Sequence, residues 1–324
     1  MPAFDLPLDE LRTYTGRNPR PADHDAYWAE ALAELDSVEA DVRLDPVGHV
    51  ASYAGCSDLW FTGVRGARVY AKLLRPTRSD SPRHPAVVVF HGYSAHSPEW
   101  FELLPYVAQG FTVAALDVRG QGGRSQDVGG ALGTTLEGHI VRGLDDDPRN
   151  LAFRHVYLDT VQLTRLVMDL PDVDATRVGV TGDSQGGALA LVCAALEPRV
   201  RAAAPVFPFL SDFLRVWEMD LATDAYAELR SYLRRFDPTH ERVDEMFTRL
   251  GYIDVQHLTA RIEASLLMQT GLMDTVCPPS TQFAAYNRIR SRKEMVLYPD
   301  FEHEKLPGGD DRVLEFLVRE LVAP

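Results

Sequence analysis

Arg177-Val-Gly-Val-Thr-Gly-Asp-Ser-Gln-Gly-Gly187 is the stretch on which the reading of this chain turns. Residues 177–181 carry β-branched side chains in the manner of a strand, and Asp172-Val-Asp174 before them reads as a turn. Gly187-Ala-Leu-Ala-Leu-Val-Cys-Ala-Ala-Leu196 after them is apolar nearly all round, as a buried helix is. Between strand and helix, Gly182-Asp183-Ser184-Gln185-Gly186 fits G-x-S-x-G. This sharp turn lifts a serine above the end of a sheet, and glycines leave room for its strained backbone. A serine hydroxyl is a weak nucleophile until a base takes its proton, so the pattern has chemical meaning only if partners exist elsewhere. Without them it is a tight strand-to-helix turn with an inert serine.

Working outward, strand-like runs alternate with helical ones. Val-rich residues 86–90 end at His91-Gly92, residues 111–116 end at Asp117-Val-Arg-Gly-Gln121, and residues 201–206 lead into Phe207-Pro208. Residues 266–270 end at Gly271-Leu-Met-Asp274, and residues 294–298 end at Pro299-Asp300. This alternation predicts an α/β fold, a mainly parallel twisted sheet with helices on both faces and the site beyond the carboxyl ends of the strands. Upstream, residues 23–39 read as an amphipathic helix and residues 58–74 as antiparallel strands around Gly63 and Gly66. Together with the flanking chain, about residues 1–80, they form an N-terminal extension of a single domain spanning 1–324. Residues 121–150, rich in Gly and Asp, read as a long ordered loop without a G-x-x-x-x-G-K-[ST] phosphate pattern. Residues 211–261 read as a charged helical insertion with helices over 221–236 and 241–250. It serves either as a cap over the site or as an assembly surface.

Composition bounds the function. The 324 residues are 45% hydrophobic and 25% charged, with a formal charge of −14. That charge opposes nucleic acid and anionic membrane as partners. Three cysteines (Cys56, Cys193, Cys277) give neither a disulfide framework nor a zinc pattern, and no cofactor is expected. No apolar run approaches membrane-spanning length, and no basic-then-apolar leader opens the chain, so the expected location is cytoplasmic.

The elbow needs a base and an orienting acid, which in this type of fold follow in the order Ser, Asp or Glu, His. Of ten histidines only His240, His257 and His303 follow Ser184, and the first two fall in the insertion. His303, just past the last strand, is the expected base. Asp274, at a strand end, is the expected acid; Asp254 and Asp300 are rivals. Two N–H donors must meet the oxyanion. The residue after the nucleophile, Gln185, supplies one, and Tyr93, after His91-Gly92, supplies the other. The side chains of Gln185 and His91 are free for bracing.

Taken together, these residues resemble carbohydrate esterase family seven, the acetyl xylan esterase and cephalosporin C deacetylase group of the α/β-hydrolase superfamily. Phe4-Asp-Leu-Pro-Leu8, the helix from Pro21 to Trp28, His91-Gly-Tyr93, Arg119-Gly-Gln121, Arg154-His-Val-Tyr-Leu-Asp159, Gly182-Asp-Ser-Gln-Gly-Gly187, Asp274 and His303-Glu304 occur in family order almost end to end. The resemblance implies a Ser184–Asp274–His303 triad, an oxyanion hole from Tyr93 and Gln185, no metal, and a ring-shaped homo-hexamer with active sites facing an inner cavity. It implies a serine esterase acting on small acetyl esters such as acetylated xylo-oligosaccharides or cephalosporin C-like acetates. Alternatives are a broader carboxylesterase or peptidase of the same fold, and a catalytically silent binding module. Departures are Asp183, where small residues are usual, and Leu151-Ala-Phe153, where aromatics are common. The Asp183 carboxylate either raises the pKa of a nearby histidine or faces solvent. Arg119 either touches substrate or, as favoured here, is structural. Phe209 and Phe213 either wall the acyl pocket or belong to the core.

Overall fold

The strand-like runs pair into one sheet. The computed structural model describes residues 4–48, 51–78, 81–128 and 138–322. Its strands are β1 (Arg43–Pro46), β2 (Ala54–Thr62), β3 (Arg68–Pro76), β4 (His84–Phe90), β5 (Thr112–Leu116), β6 (Val173–Asp183), β7 (Ala202–Val206), β8 (Ser265–Gly271) and β9 (Lys293–Tyr298). The spatial order is β1-β2-β3-β5-β4-β6-β7-β8-β9. The β1, β2, β3 and β5 pairings are antiparallel, and every pairing from β5 across to β9 is parallel. Strands β4, β5 and β7 are buried at every residue, which is why their sequences are continuously apolar.

The helices are α1 (Leu8–Leu11), α2 (His24–Asp36), α3 (Trp100–Ala108), α4 (Ala152–Met168), α5 (Gln185–Leu196), α6 (Phe213–Glu218), α7 (Ala227–Phe236), α8 (Val243–Leu250), α9 (Pro279–Arg288) and α10 (Gly309–Leu321). Side chains along β4 alternate between two cores, as the pleat requires. Ala86, Val88 and Phe90 join α4 and α5 on one face. Val87 and Val89 join Leu103 and Val107 of α3 and Phe316 and Leu317 of α10 on the other. The amino-terminal extension is locked on by Trp28, whose ring stacks on Tyr157 at 5.8 Å and whose Nε1 donates to the Tyr252 carbonyl at 3.0 Å.

Strand β4 lies between β5 and β6, so the chain turns one way after β4 and the other way after β5. At this switch point Phe90 is in register with Gly182, and the loops leaving both strands meet. The site is therefore placed by topology before any side chain is considered.

Several boundaries differ from the sequence reading. β6 begins at Val173, inside the expected turn. The first insertion helix starts at Ala227 rather than 221, because Asp220 and Asp224 take positive φ (60° and 46°), which an α-helix of L-residues does not continue through. The second starts at Val243 rather than 241, after His240 at φ 59°, with the Asp237 carboxylate accepting from the N–H groups of Glu241 and Arg242. A third helix, α6, escaped the reading. Residues 129–137 of the Gly- and Asp-rich loop lie outside the described residues.

Candidate active site

Ser184 sits at φ 56°, ψ −115°, between β6 and α5. A non-glycine residue held there stores about 1–3 kcal/mol, so its surroundings must over-determine it. They do. The Ser184 N–H donates to the Val206 carbonyl, and its own carbonyl accepts from the Phe209 and Ala188 N–H groups, all at 3.0 Å. A Cβ on Gly182 or Gly186 would meet the Phe90 carbonyl at 2.3 or 2.1 Å. Both glycines are required by this close approach of β4 to the elbow.

His303, in the loop after β9, bridges Ser184 and Asp274. Its Nδ1 lies 2.8 Å from Asp274 Oδ2 and its Nε2 lies 3.0 Å from Ser184 Oγ. The carboxylate can only accept, so Nδ1 carries the proton and Nε2 is left to accept from the serine hydroxyl. Asp274 is fully buried in the turn after β8. Its Oδ1 accepts from the Val276 and Cys277 N–H groups at 2.9 and 2.7 Å, and Gln282 Nε2 reaches Oδ2 at 3.4 Å. These bonds hold a buried charge that would otherwise be costly. The Phe207 ring packs against the imidazole, centroids 4.6 Å apart. The rivals stand elsewhere: Asp254 caps a turn and accepts from Asp212 N–H, while Asp300 is exposed.

Among the described residues, neither the Tyr93 N–H nor the Gln185 N–H meets an acceptor. Gln185 opens α5, whose unpaired N–H groups and positive dipole end face the serine. Side chains brace this region. His91 Nε2 accepts from Val118 N–H at 2.9 Å, and Nδ1 donates to the Gly92 carbonyl at 2.7 Å; burial lowers the pKa of this imidazole. Gln185 and Gln121 exchange amide hydrogen bonds at 2.7 and 3.0 Å, and Gln121 Oε1 also accepts from Ser94 N–H.

A cavity of about 430 Å³ opens over Ser184 and His303. Tyr93, Ser94, Gly138 and Val276 line it, with Asp224, Ala225, Ala227 and Glu228 from the insertion. Phe209 and Phe213 do not line it. Both are fully buried, with Phe209 packed behind the Tyr93 ring (5.4 Å) and both rings packed on Tyr226, so the acyl-wall expectation is corrected to core packing. Arg119 is also buried. Its Nε and Nη2 bond both carboxylate oxygens of Asp159 at 2.6 and 2.5 Å. Asp183 faces away from the serine cavity into a second cleft beside Tyr106, Lys305 and Asp310. It touches water yet is hemmed in by protein, and this desolvation, with the Asp310 charge, pushes its carboxyl up to about 6.

Glu228, Phe207, Val276 and Gln282 were missed by the sequence reading. A glutamate in a charged helix and a glutamine on α9 carry no spacing signal; Phe207, directly after a core strand, carried a weak one. One group that could hold a metal ion occurs among the described residues: ligand atoms of Asp274, Cys277 and His303 lie within 4.8 Å of one another. Asp274 and His303 are already paired there, and burial pushes the Cys277 thiol well above its ordinary pKa, away from the thiolate a metal prefers.

Comparison with known proteins identifies the family. The family model described as "Acetyl xylan esterase (AXE1)" matches residues 1–320. The chain is 31% identical over 299 residues to "Acetyl esterase Axe7A" of Xylanibacter ruminicola; the match covers 90% of this chain and 65% of that relative, so the chain spans just under two thirds of its length. Acetyl xylan esterase 1 from Thermoanaerobacterium sp. JW/SL YS485 superposes with TM-score 0.96 at 56% identity, covering 98% of this chain and 99% of that one. The acetyl xylan esterase from Paenibacillus sp. R4 gives 0.93 at 34%, covering 98% and 100%. No helix among the described residues is long and apolar enough to cross a membrane. With its mostly parallel sheet, its elbow and a family match over nearly its whole length, the chain belongs to the acetyl xylan esterase family, carboxylic ester hydrolases of the α/β-hydrolase fold.

Proposed function

We propose that this chain is a serine esterase that removes acetyl groups from small hydroxylated substrates through an acetyl-serine intermediate, with acetylated xylo-oligosaccharides and cephalosporin C-like acetates as its substrate class. The observation that carries the reading is the continuous chain Ser184 Oγ–His303 Nε2, His303 Nδ1–Asp274 Oδ2, at 3.0 and 2.8 Å, at the floor of an open cavity. Ser184 attacks the acetyl carbonyl as His303 takes its proton. The Tyr93 and Gln185 N–H groups receive the oxyanion, and Asp274 keeps the imidazole in the required tautomer and stabilises the imidazolium. His303 then gives the proton to the departing alcohol. Water attacks the acetyl-enzyme with His303 again as base, releasing acetate.

The chain acts as one catalytic unit in this reading, with the 211–261 insertion covering the serine. Asp224, Ala225, Ala227 and Glu228 on the cavity wall support that role. A ring-shaped homo-hexamer follows from the family resemblance. A cytoplasmic location is part of the same reading, and three buried, unbridged cysteines suit a reducing compartment. Initial rates on p-nitrophenyl esters from acetate to octanoate, for the parent and Ser184→Ala, test the proposal. A steep fall beyond acetate that vanishes in the variant supports it. Rates that hold or rise with chain length overturn acetyl specificity, and undiminished activity in Ser184→Ala overturns the mechanism.

A further inference from the structure

The oxyanion donor on Tyr93 has an unusual support. Its N–H belongs to the Gly92–Tyr93 peptide, and the glycine leaves that plane with little steric restriction on one side. The plane is held from its carbonyl by His91 Nδ1–H at 2.7 Å and by the Ala95 N–H at 3.3 Å. A further hold is at the far end of the Tyr93 side chain. The phenol accepts from His139 N–H at 2.7 Å, which leaves its one proton to be donated, and Glu228 Oε1 takes it at 2.8 Å. The second carboxylate oxygen, Oε2, accepts from Val141 N–H at 3.1 Å.

Glu228 is not a solvated helix residue. It is 4% exposed, lies in the first turn of α7 and shares the serine cavity wall with Tyr93. The surroundings are shaped to admit the contact: Gly138 takes φ +84°, and a Cβ there would stand 2.2 Å from both Glu228 Oε1 and the Tyr93 hydroxyl. A buried carboxylate is costly and tends to persist where its hydrogen bonds do something an apolar residue cannot.

We propose that Glu228 is a positioning residue for the ester hydrolysis: reaching in from the insertion, it fixes the Tyr93 side chain and thereby aims the Tyr93 N–H at the oxyanion. The inference rests on the reading of Tyr93 as an oxyanion donor. It makes the insertion part of the catalytic apparatus rather than a passive cover, because α7 supplies the clamp.

The test is a double-mutant cycle of Tyr93→Phe and Glu228→Ala, with Glu228→Gln as the conservative variant and Ser184→Ala as control. Thermal melts establish folding in each case. A misaimed donor acts in the transition state, so kcat on p-nitrophenyl acetate falls by about 10- to 100-fold in either single variant while KM stays within about twofold. The double variant is no slower than the slower single, because both changes break one clamp. Glu228→Gln keeps an acceptor for the phenol and retains most of kcat. The Ki of a trifluoromethyl ketone, which forms the oxyanion adduct, rises in step with the fall in kcat/KM. Single effects that multiply, a change in KM alone, or lower melting temperature with parental kcat each overturn the proposal. Should Glu228→Ala fail to fold, Tyr93→Phe decides, and parental kcat in that variant overturns it. Activity remaining in Ser184→Ala would instead overturn the underlying site reading, so the two failures are distinguishable.

Discussion

Replacing Asp159 by Leu removes the partner of a guanidinium that has almost nowhere else to turn. In the parent, Arg119 Nε and Nη2 bond both carboxylate oxygens at 2.6 and 2.5 Å, and Nη1 reaches only the Val64 carbonyl at 3.4 Å. The two side chains are 3% and 1% exposed. Gly63 closes the space behind them: a Cβ there would lie 2.6 Å from Asp159 Oδ1 and 2.7 Å from Arg119 Nη2. Removing one member of such a pair leaves a buried, unpaired charge and costs about 3–5 kcal/mol. That is a large share of the roughly 5–15 kcal/mol that holds a domain folded. The pair itself is worth far less, since desolvation offsets most of its attraction. Arg119→Met combined with Asp159→Leu therefore recovers most of the loss, to within about 1–2 kcal/mol of the parent. Urea unfolding of the parent, both singles and the double gives the four free energies directly. A loss under about 1 kcal/mol in Asp159→Leu, or a double variant as unstable as the sum of the singles, refutes the argument. The same double variant separates the two roles open to Arg119. A structural arginine leaves kcat/KM near the parent once stability is restored, and a substrate-touching one leaves it low.

Two further predictions follow from the elbow and from Glu228. Gly182→Ala forces a Cβ to 2.3 Å from the Phe90 carbonyl, which is backbone and has little freedom to retreat. It abolishes esterase activity and lowers the melting temperature; a folded, active variant measured by both would contradict the packing described. Burial pushes the Glu228 carboxyl from its ordinary 4.5 up to about 7, so between these values the folded chain holds a proton that the unfolded chain has lost. Stability contributed at this position therefore declines as pH rises through that window, by about 3 kcal/mol. Glu228→Gln removes the decline. Asp254, pushed up by burial to about 8, acts in the same direction in parent and variant. The readout is thus the difference between their urea stabilities at pH 4 and pH 8, and a constant difference refutes the assignment.

The fold was legible because its central strands are buried on both faces and so declare themselves as apolar runs, and because the elbow marks a strand end where glycine is sterically required. The grouping of Ser184, Asp274 and His303 was legible from chain order: Asp274 and His303 each sit past a core strand, where topology gathers side chains. What escaped reading was set by contacts distant in sequence. Phe209 and Phe213 look like pocket walls beside the site, yet both pack on Tyr226, a partner no spacing rule points to. The insertion helices start late because of left-handed residues at Asp220, Asp224 and His240, and aspartate and histidine do not announce that conformation. Glu228 has the sequence context of a solvated helix face, and only the fold brings the Tyr93 hydroxyl 2.8 Å from it. Asp183, the departure from family pattern, belongs to neither alternative cleanly: it faces a separate cleft and water, with a carboxyl raised by its surroundings.

The claim on which the rest depends is that Ser184 is the nucleophile. Titration with a fluorophosphonate, following residual esterase activity and mapping the labelled peptide by mass spectrometry, tests it most directly. One equivalent of label per chain is expected, all of it on Ser184, with activity falling in proportion and Ser184→Ala left unlabelled. Label on another residue, or activity that survives complete labelling of Ser184, would contradict it.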